Sequence, residues 1–370
     1  MQNVQPADRP LRVGVIAGDG IGPELTRAAA SVMETALRLH GTGIEFVHED
    51  AGADTFRRTG RALTPGALDR IRGYDALLKG PVGDPAVRHP DGTEAGLLGG
   101  LLREGLDTYA NVRPIRLLPG IRGATRHEAG EIDHVIVREN TEGLYMSRGR
   151  GVRNARAASD QLMMTREGVE RVAHAAFALA RRRGGAPADG VSRVTCVDKS
   201  NVLRSFGFFR DIFDEVAEAY PDVEADHMYA DAAGYALVAE PSRFDVLVME
   251  NLLGDVLSDV GAGTVGGLGM CPSGNIGDTS AYFEPIHGSA PGIAGSDRAN
   301  PSSQILAGAL LLDHAGHTDA ARSVEDAVAR VLADGTVTIT SSGSPDLGTR
   351  ATAEAVVGAL AAPEEGTGPA

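Results

Sequence analysis

Several residue types are scarce in this chain of 370 residues, and each scarcity excludes some classes of protein. The chain has no tryptophan and only two cysteines, Cys196 and Cys271, which lie far apart in the sequence. Two distant cysteines do not form a zinc-binding motif, and they are typical of a protein of the reducing cytoplasm. No apolar run is long enough to span a membrane, and the first residues lack the apolar core of a signal peptide. We therefore expect a cytoplasmic protein without a membrane partner.

Positive charge is also in deficit, because the formal net charge at pH 7 is −15. Such a charge disfavours nucleic acids and anionic membranes as partners. The apolar fraction of 42% is sufficient for a buried core, and the length allows two domains of ordinary size. These properties exclude partners, but they identify no substrate.

Lysine is the scarcest charged residue, since only Lys79 and Lys199 are lysines among the 35 lysine and arginine residues. An arginine supplies a positive charge equally well, but it cannot lose its proton as a lysine can. The two lysines are therefore candidates for chemistry that arginine cannot perform. Lys199 also follows an expected strand, at the position where wound sheets commonly bind ligands.

Apolar segments with strand character alternate with segments of helical periodicity along the chain. Strands are expected at 11–17, 44–48, 74–79, 108–112, 133–138, 192–197, 222–228 and 244–249. Helices are expected at 23–39, 94–106, 165–182, 204–219, 302–316, 320–333 and 350–361, and after Asp231 and Gly254. This alternation predicts an α/β fold with a largely parallel sheet.

Three loop segments carry polar or glycine-rich motifs. The turn GDGIGPE at 18–24 is not a dinucleotide-binding fingerprint, because its third glycine falls too early. Residues 264–300 are rich in Gly, Pro, Ser and Asn, which predicts a long irregular binding loop. Within it, EPIHGSAP at 284–291 is compatible with a nucleotide site and equally with a plain loop.

The stretch NLLGDVLSDVGAG, residues 251–263, follows an apolar strand and has helical spacing after Gly254. On a helix, Asp255 and Asp259 share one face, about 6 Å from each other. Two such carboxylates repel each other unless a cation lies between them, and oxygen ligands suit Mg²⁺ or Mn²⁺. A solvated helix face with two ordinary acidic residues explains the same spacing, so the stretch alone leaves both interpretations open.

Further candidates lie near the ends of the expected elements. Arg103, Arg113 and Arg138 could each grip a carboxylate bidentately, although any one of them alone is more typical of the surface. Tyr145 follows in the same segment and could be a half-buried strand residue. Asp231 could simply be the N-cap of a helix.

Together these motifs closely resemble the metal-dependent β-decarboxylating dehydrogenases of 2-hydroxy acids, a family with isocitrate, homoisocitrate, 3-isopropylmalate and tartrate/D-malate dehydrogenases. The resemblance rests on GDGIGPE, KGPVGDP, LLREGLDTYANVRP, VRENTEGLY, DKSNVL, NLLGDVLSD, PSGNIGD and EPIHGSAPGIAG in this order, and it covers nearly the whole chain. It implies an α/β, isopropylmalate/isocitrate dehydrogenase-like two-domain wound sheet that is not a Rossmann fold. The large domain would comprise 1–108 and 266–370, and 109–265 would form a small domain with the dimer interface.

The resemblance also implies roles for individual residues in a homodimer with shared active sites. Asp255 and Asp259, with Asp231 of the neighbouring subunit, match the Mg²⁺ or Mn²⁺ ligands. Lys199, also from the neighbour, matches the base for the substrate hydroxyl, and Tyr145 matches the general acid. The residues that match the malate-carboxylate ligands are Arg103, Arg113 and Arg138. Those that match the adenosine-binding loop are Glu284, His287, Gly288, Ser289, Ala290, Gly292, Ile293 and Asn300.

The cofactor implied by the resemblance is NAD, although NADP stays open. NAD-type members usually carry Asp at the position of Gly292, whereas NADP-type bacterial isocitrate enzymes carry Lys there. Since no basic residue replaces the Asp, we expect NAD. Arg298 and Arg350 nevertheless lie in segments that could reach a 2′-phosphate.

The substituent of the malate substrate is the least determined feature. In the helix before Arg103, Leu97, Gly99 and Gly100 match neither the leucines of the isopropylmalate type nor the Ser and Asn of the isocitrate type. Motifs with Lys79, Asn140 and Asn201 resemble isocitrate-like members, which favours an anionic substituent, either a carboxylate or a phosphonate. The alternatives are a 3-isopropylmalate or bulkier apolar-substituted malate enzyme, a tartrate/D-malate enzyme, or a non-catalytic regulatory subunit. The intact catalytic set argues against the last.

Overall fold

The computed structural model describes residues 9–90 and 92–361. Its strands are β1 (Leu11–Ile16), β2 (Ile44–His48), β3 (Ala76–Lys79), β4 (Ala110–Arg116), β5 (Asp133–Glu139), β6 (Val152–Arg153), β7 (Ala158–Ser159), β8 (Arg193–Asp198), β9 (Glu224–Tyr229), β10 (Val246–Met249), β11 (Pro272–Ile276) and β12 (Ala281–Pro285). Ten of them form one sheet in the order β2-β1-β3-β12-β11-β4-β5-β10-β8-β9, while β6 and β7 pair separately as an exposed hairpin.

The large sheet is parallel in both outer parts and antiparallel in the middle. β2, β1, β3 and β12 run parallel, as do β5, β10, β8 and β9. Antiparallel pairs join β12 to β11, β11 to β4, and β4 to β5. The expectation of an α/β fold with a largely parallel sheet is confirmed.

The middle of the sheet is built from the segment that composition predicted to be irregular. For 272–276 and 281–285 that prediction is wrong, because β11 and β12 lie there and are largely buried. Gly274 lets the two strands approach, since a Cβ on it would lie 2.9 Å from Cε1 of Phe283. The buried side chains of Ser273 and Asn275 each accept a hydrogen bond of 2.8 Å from Nδ2 of Asn111. Tertiary partners thus satisfy polar residues that looked like loop residues.

Helices cover the sheet. They are α1 (Gly22–Leu39), α2 (Ala53–Thr59), α3 (Ala67–Arg72), α4 (Gly99–Gly105), α5 (Arg166–Ala180), α6 (Arg204–Ala217), α7 (Ala230–Ala239), α8 (Asn251–Thr264), α9 (Ser302–His314), α10 (Thr318–Ala333) and α11 (Thr349–Ala361). Thr165 caps α5 by accepting a hydrogen bond of 3.1 Å from the backbone N–H of Gly168. No helix in the described ranges combines the length and apolarity that crossing a bilayer requires.

α4 is shorter than the helix expected at 94–106. Gly96 has a φ of +82°, and a Cβ on it would lie 2.5 Å from the Cα of Ala53 at the start of α2. Gly96 therefore adopts a left-handed conformation where the chain lies against the start of α2, and α4 begins only after it. The sequence periodicity did not reveal α2 or this crossing.

The carboxyl ends of the parallel strands position the candidate residues. β5 carries Arg138 near its end, β8 leads directly to Lys199, and β10 leads into α8 with its two aspartates. Such an edge is where wound sheets bind ligands. The division into 1–108 with 266–370 and 109–265 stays a proposal, and the pairing of β11 with β4 continues the sheet across it.

Candidate active site

α8 presents Asp255 and Asp259 on one partly exposed face, with exposed side-chain fractions of 38% and 57%. The helix begins at Asn251 rather than at Gly254, because the Glu250 carboxylate accepts hydrogen bonds from the backbone N–H groups of Leu252 and Leu253. Gly254 leaves space for Arg138, whose Cγ would lie 2.5 Å from a Cβ at that position.

Two buried arginines contact these carboxylates. Arg138 is almost fully buried, forms an ion pair with Asp255 and donates two hydrogen bonds, of 3.0 and 2.7 Å, to Oδ1 of Asn251. Arg113 on β4 lies 3.4 Å from Asp255 and 3.9 Å from Asp259, and it donates a 2.6 Å hydrogen bond to Oγ of Ser258. The spacing of the two acids on one face is confirmed, and the interpretation as an ordinary solvated face does not explain these buried cations.

The charged groups of this cluster shift one another's pKa values. Burial, then Arg113 and Arg103, lower the pKa of Arg138 to about 9. Burial disfavours the charge of Asp255, but the charge of Arg138 and the hydrogen bond from Tyr145 outweigh it, so its pKa is lowered. The pKa of Asp259 is raised, mainly by burial, with a further contribution from the negative charge of Asp255. The three guanidinium groups thus repel one another, and an anionic ligand would relieve that repulsion.

Tyr145 lies in a short 3-10 helix (Leu144–Ser147), so the interpretation as a strand tyrosine is wrong. Its hydroxyl donates a 2.7 Å hydrogen bond to Oδ2 of Asp255, and its ring centroid lies 5.4 Å from the Arg138 guanidinium carbon. Burial, followed by the interaction with Asp255, raises the pKa of the phenol. The hydroxyl therefore keeps its proton at neutral pH, as a general acid requires.

Lys199 and Asp231 form an ion pair with each other. Asp231 lies in the first turn of α7, and the N-cap is Tyr229, so the N-cap interpretation of Asp231 is wrong. The Lys199 hydrogen bond lowers the pKa of Asp231. No hydrogen bond or ion pair of the described residues joins this pair, or Asn201, to Asp255. Correspondingly, residues 9–90 and 92–361 of a single chain contain no group of three or more His, Cys, Asp or Glu that could hold a metal.

Lys79 and Glu284 are the next pair of predicted site residues. Lys79 is 3% exposed, and its ammonium forms an ion pair with Glu284, which also accepts a 3.0 Å hydrogen bond from Nδ2 of Asn275. Burial disfavours the charge of Glu284, but Lys79 and Arg103 outweigh it and lower the pKa of the carboxyl. A buried charge needs a partner, and these two residues on β3 and β12 supply it for each other. Lys79 as the partner of a third substrate acid and Glu284 as a cofactor-binding residue stay predictions, and within one chain the two residues pair with each other.

A small cavity of about 100 Å³ lies beside Arg103 and Tyr145. Asn140 also lines it, is 2% exposed, and donates hydrogen bonds of 2.9 Å to the Thr108 carbonyl and to Asn275. Its Oδ1 has no hydrogen-bond partner among the described residues. The expected pocket residues Leu97 and Gly99 do not line this cavity, whereas six residues that the sequence did not indicate do: Glu104, Thr141, Met146, Arg148, Arg150 and Asn251. All of these except Asn251 lie close to Arg103 or Tyr145 in the sequence, and this position could have indicated them.

A larger cavity of about 760 Å³ is formed by the loop between β12 and α9. Five of the expected cofactor residues line it: His287, Gly288, Ala290, Ile293 and Asn300. Arg298 also lines it, as do regions that the sequence did not indicate: Ile21, residues 121–124, Gly263, residues 266–269 and residues 339–344. Its size and its mixture of apolar side chains, glycine backbone and polar side chains are compatible with the adenosine half of a dinucleotide.

The remaining loop residues do not face this cavity. Ser289 is buried, its Oγ donates a 2.5 Å hydrogen bond to the Gly83 carbonyl, and its own carbonyl accepts one of 2.9 Å from Ile21. Gly20 has a φ of +57°, and a Cβ there would lie 2.0 Å from the Ser289 carbonyl oxygen. The GDGIGPE turn therefore holds the loop in place. A Cβ on Gly292 would meet no described atom within 4 Å, and Arg350 lines a separate cavity with Glu24.

Comparison with known proteins agrees with this geometry. A profile of the isocitrate/isopropylmalate dehydrogenase family matches residues 12–356. The chain is 42% identical over 338 residues to the 3-isopropylmalate/3-methylmalate dehydrogenase of Methanocaldococcus jannaschii, covering 91% of this chain and 94% of that protein. It is 41% identical over 333 residues to the 3-isopropylmalate dehydrogenase of Thermobifida fusca, covering 88% and 92%.

A solved structure has the same fold. The isocitrate dehydrogenase from Methylococcus capsulatus superposes with a TM-score of 0.82 at 39% identity, covering 94% of this chain and 99% of that one. Both the sequence profile and the structural match extend over nearly the whole chain. The chain therefore belongs to the isocitrate/isopropylmalate dehydrogenase family, and it is a decarboxylating dehydrogenase of hydroxy acids.

Proposed function

We propose that the protein converts a 3-substituted (R)-malate to a 2-oxo acid and CO₂, with NAD as the hydride acceptor and with Mg²⁺ or Mn²⁺. The proposed substituent carries a negative charge, either on a carboxylate, as in isocitrate and homoisocitrate, or on a phosphonate. The observation that carries this proposal is the contact of Arg113 and Arg138 with Asp255, beside the hydroxyl of Tyr145; the positive charge of Arg103 also lowers the pKa of that carboxyl.

The arginines have the charge and burial that recognition of a malate requires. Arg113 and Arg138 are nearly inaccessible to solvent, and burial lowers the pKa of each. Water does not compensate their charges, so carboxylates gain strong charge-assisted hydrogen bonds there. We assign the two malate carboxylates to these residues together with Arg103.

Asp255 and Asp259 suit a hard divalent cation. The pKa of Asp259 is raised by burial and by Asp255, so a cation between the two carboxylates would remove an unfavourable interaction. When bound, such an ion would act as a Lewis acid toward the substrate hydroxyl and the adjacent carboxylate. In the same proposal, Asp231 of the partner subunit completes the ligands.

The proton transfers are assigned to Lys199 and Tyr145. Lys199 of the partner subunit would accept the proton of the substrate hydroxyl, and a nicotinamide bound beside C2 would supply the acceptor for the hydride that leaves this carbon. After CO₂ leaves the resulting β-keto acid, Tyr145 donates its proton to C3, which gives the 2-oxo acid. The pKa of Tyr145, raised by burial and by Asp255, supports this role.

A homodimer is proposed because Lys199 and Asp231 lack contact with Asp255 within one chain. Large apolar side chains are exposed on the elements that carry these residues, and such patches mark association sites. Tyr235 on α7 and Val202 after β8 are each 68% exposed, and the others are Leu203, Tyr229, Val238 and Val256. A symmetric contact through this face would bring the pair to the partner's Asp255.

The second candidate is a 3-isopropylmalate dehydrogenase, favoured by the names of the relatives at 41–42% identity. The anionic substituent is favoured by the cationic lining around Arg103 and by the buried Asn140. Both candidates use the same reaction at C2 and C3, so they differ only in the substituent.

A substrate panel tests the proposal. The purified protein is assayed with Mn²⁺ and with NAD or NADP. The substrates are isocitrate, homoisocitrate, 3-isopropylmalate, (R)-malate, tartrate and a malate with a phosphonomethyl group at C3 (phosphonomethylmalate). We expect NAD-dependent CO₂ release that is highest with an anion-substituted malate and lost after EDTA treatment. Turnover of isopropylmalate alone would favour the second candidate, and no CO₂ release from any malate would refute the reaction.

A further inference from the structure

The start of α4 leaves a space that a cation from another segment enters. A Cβ on Gly100 would lie 3.1 Å from Nη1 of Arg148, whereas a Cβ on Gly99 would meet no described atom within 4 Å. Gly100 has no positive φ, so its backbone does not require glycine, and a glycine inside a helix costs about 1 kcal/mol relative to alanine. Glycine at 100 therefore leaves a space at the start of α4 that the end of the Arg148 side chain approaches.

Three arginines surround the cavity that this approach creates. Arg103, Arg148 and Arg150 line it together with one acidic residue, Glu104, so positive charge is in excess. Neither Arg148 nor Arg150 has an ion-pair partner in the described part of the chain. Unpaired guanidinium groups at the rim of a small cavity are available for a ligand.

The cavity is polar as well as cationic, and its size limits what it can hold. The nearly inaccessible side chain of Asn140 forms part of the wall, and its Oδ1 has no partner among the described residues. An isopropyl group would leave the buried Oδ1 of Asn140 without a partner, which is unfavourable, whereas Arg148 and Arg150 are exposed to solvent. A volume of about 100 Å³ suits one terminal carboxylate or phosphonate.

We infer that Arg148, admitted by Gly100, binds the terminal anion of the malate substituent and is the specificity-determining residue of the enzyme. This inference rests on the proposed function for the reaction at C2 and C3, and it adds the group that the enzyme recognises at C3. The guanidinium fork matches the oxygen pairs of a carboxylate and of a phosphonate, and the two sources share this chemistry.

The test compares Arg148→Gln with wild type on isocitrate, phosphonomethylmalate, 3-isopropylmalate and unsubstituted (R)-malate. We expect the KM for both anion-substituted malates to rise about 10- to 100-fold, because a hydrogen bond between charged groups is lost. The KM for (R)-malate should change less than about twofold, since it has no substituent to bind. A larger loss with phosphonomethylmalate than with isocitrate would identify the phosphonate as the preferred anion, and the reverse would identify the carboxylate.

Two further variants separate binding from folding. Gly100→Ala should raise the KM for the anion-substituted malates less than Arg148→Gln does, because a shift of a few tenths of an ångström in the flexible Arg148 side chain accommodates the methyl group. Arg148→Lys should restore part of the affinity. Arg156→Gln removes a charge from the exposed hairpin of β6 and β7, outside the lining of the cavity, and should leave all four KM values unchanged.

Calorimetric dissociation constants, measured with Mg²⁺ present, keep the test independent of turnover. Wild type is expected to bind the anion-substituted malates. If Arg148→Gln then weakens the binding of all ligands equally, or weakens it no more than Arg156→Gln does, the inference is wrong. The proposed function stands in that case. Preference of wild type for isopropylmalate would also overturn it. If no malate is turned over but Arg148→Gln selectively weakens binding of the anionic ones, the reaction is wrong and the binding site is supported.

Discussion

Two inactive variants should restore activity when they share a dimer. Lys199→Ala removes the proposed base, and Asp255→Asn removes a proposed metal carboxylate with little change in shape. Within one chain Lys199 contacts Asp231, and no hydrogen bond or ion pair in the described residues joins it to Asp255. If each site takes Asp255 from one subunit and Lys199 from the other, both parent homodimers lack an essential group at both sites.

The magnitude follows from this geometry. In a hybrid dimer one site carries both lesions and the other carries none. Random pairing of equal amounts makes about half of the dimers hybrid, so the mixture should reach about one quarter of wild-type activity per mass of protein. Hybrids isolated with two different tags should reach about one half.

The assay measures NADH formation after co-refolding of the differently tagged variants. Mixing without refolding is the control, and this sample should stay inactive while subunits do not exchange. A purified hybrid with no more activity than either parent would refute the shared site. Activity in the Lys199→Ala homodimer itself would refute the assignment of the base.

Two predictions concern buried charges outside the proton-transfer steps. Lys79→Met should lower the free energy of unfolding by about 3–5 kcal/mol, because Glu284 stays buried without its cation, and adding Glu284→Gln should recover most of the loss in urea unfolding. An equal loss in the double variant would contradict this pairing. Burial, and secondarily Arg183, lower the pKa of His134 from 6.5 to about 3, so its stabilisation is complete above pH 6.5 and is lost progressively as the pH falls toward 3. Between pH 7 and pH 4.5, wild type should therefore lose about 2.5 kcal/mol more stability than His134→Leu; parallel losses in urea unfolding at the two pH values would contradict this.

Local patterns in the sequence were sufficient for much of the fold and for part of the site. The alternation of strands and helices predicted the α/β sheet, and the four-residue spacing of Asp255 and Asp259 predicted one helix face. Both depend on the periodicity of a single element, which is a property of neighbouring residues. The motif order also predicted the family, which the profile match confirms.

Other features depend on residues that are distant in the chain. β11 and β12 were missed because their glycine and polar residues become suitable for a strand only when Phe283 packs against Gly274 and Asn111 binds Ser273. Likewise, Lys79 could not be assigned from sequence, since its partner Glu284 lies 205 positions away.

The sequence by itself thus determined which chemical groups the protein has: two lysines, paired aspartates and a set of arginines. Only the tertiary structure decided which of them pair with one another. Lys79 is neutralised by a buried carboxylate, whereas Arg148 enters the space beside Gly100 without an ion-pair partner in the described residues. The physical reason is that a charge is available for chemistry only if folding leaves it without a better partner, and that depends on contacts between distant segments.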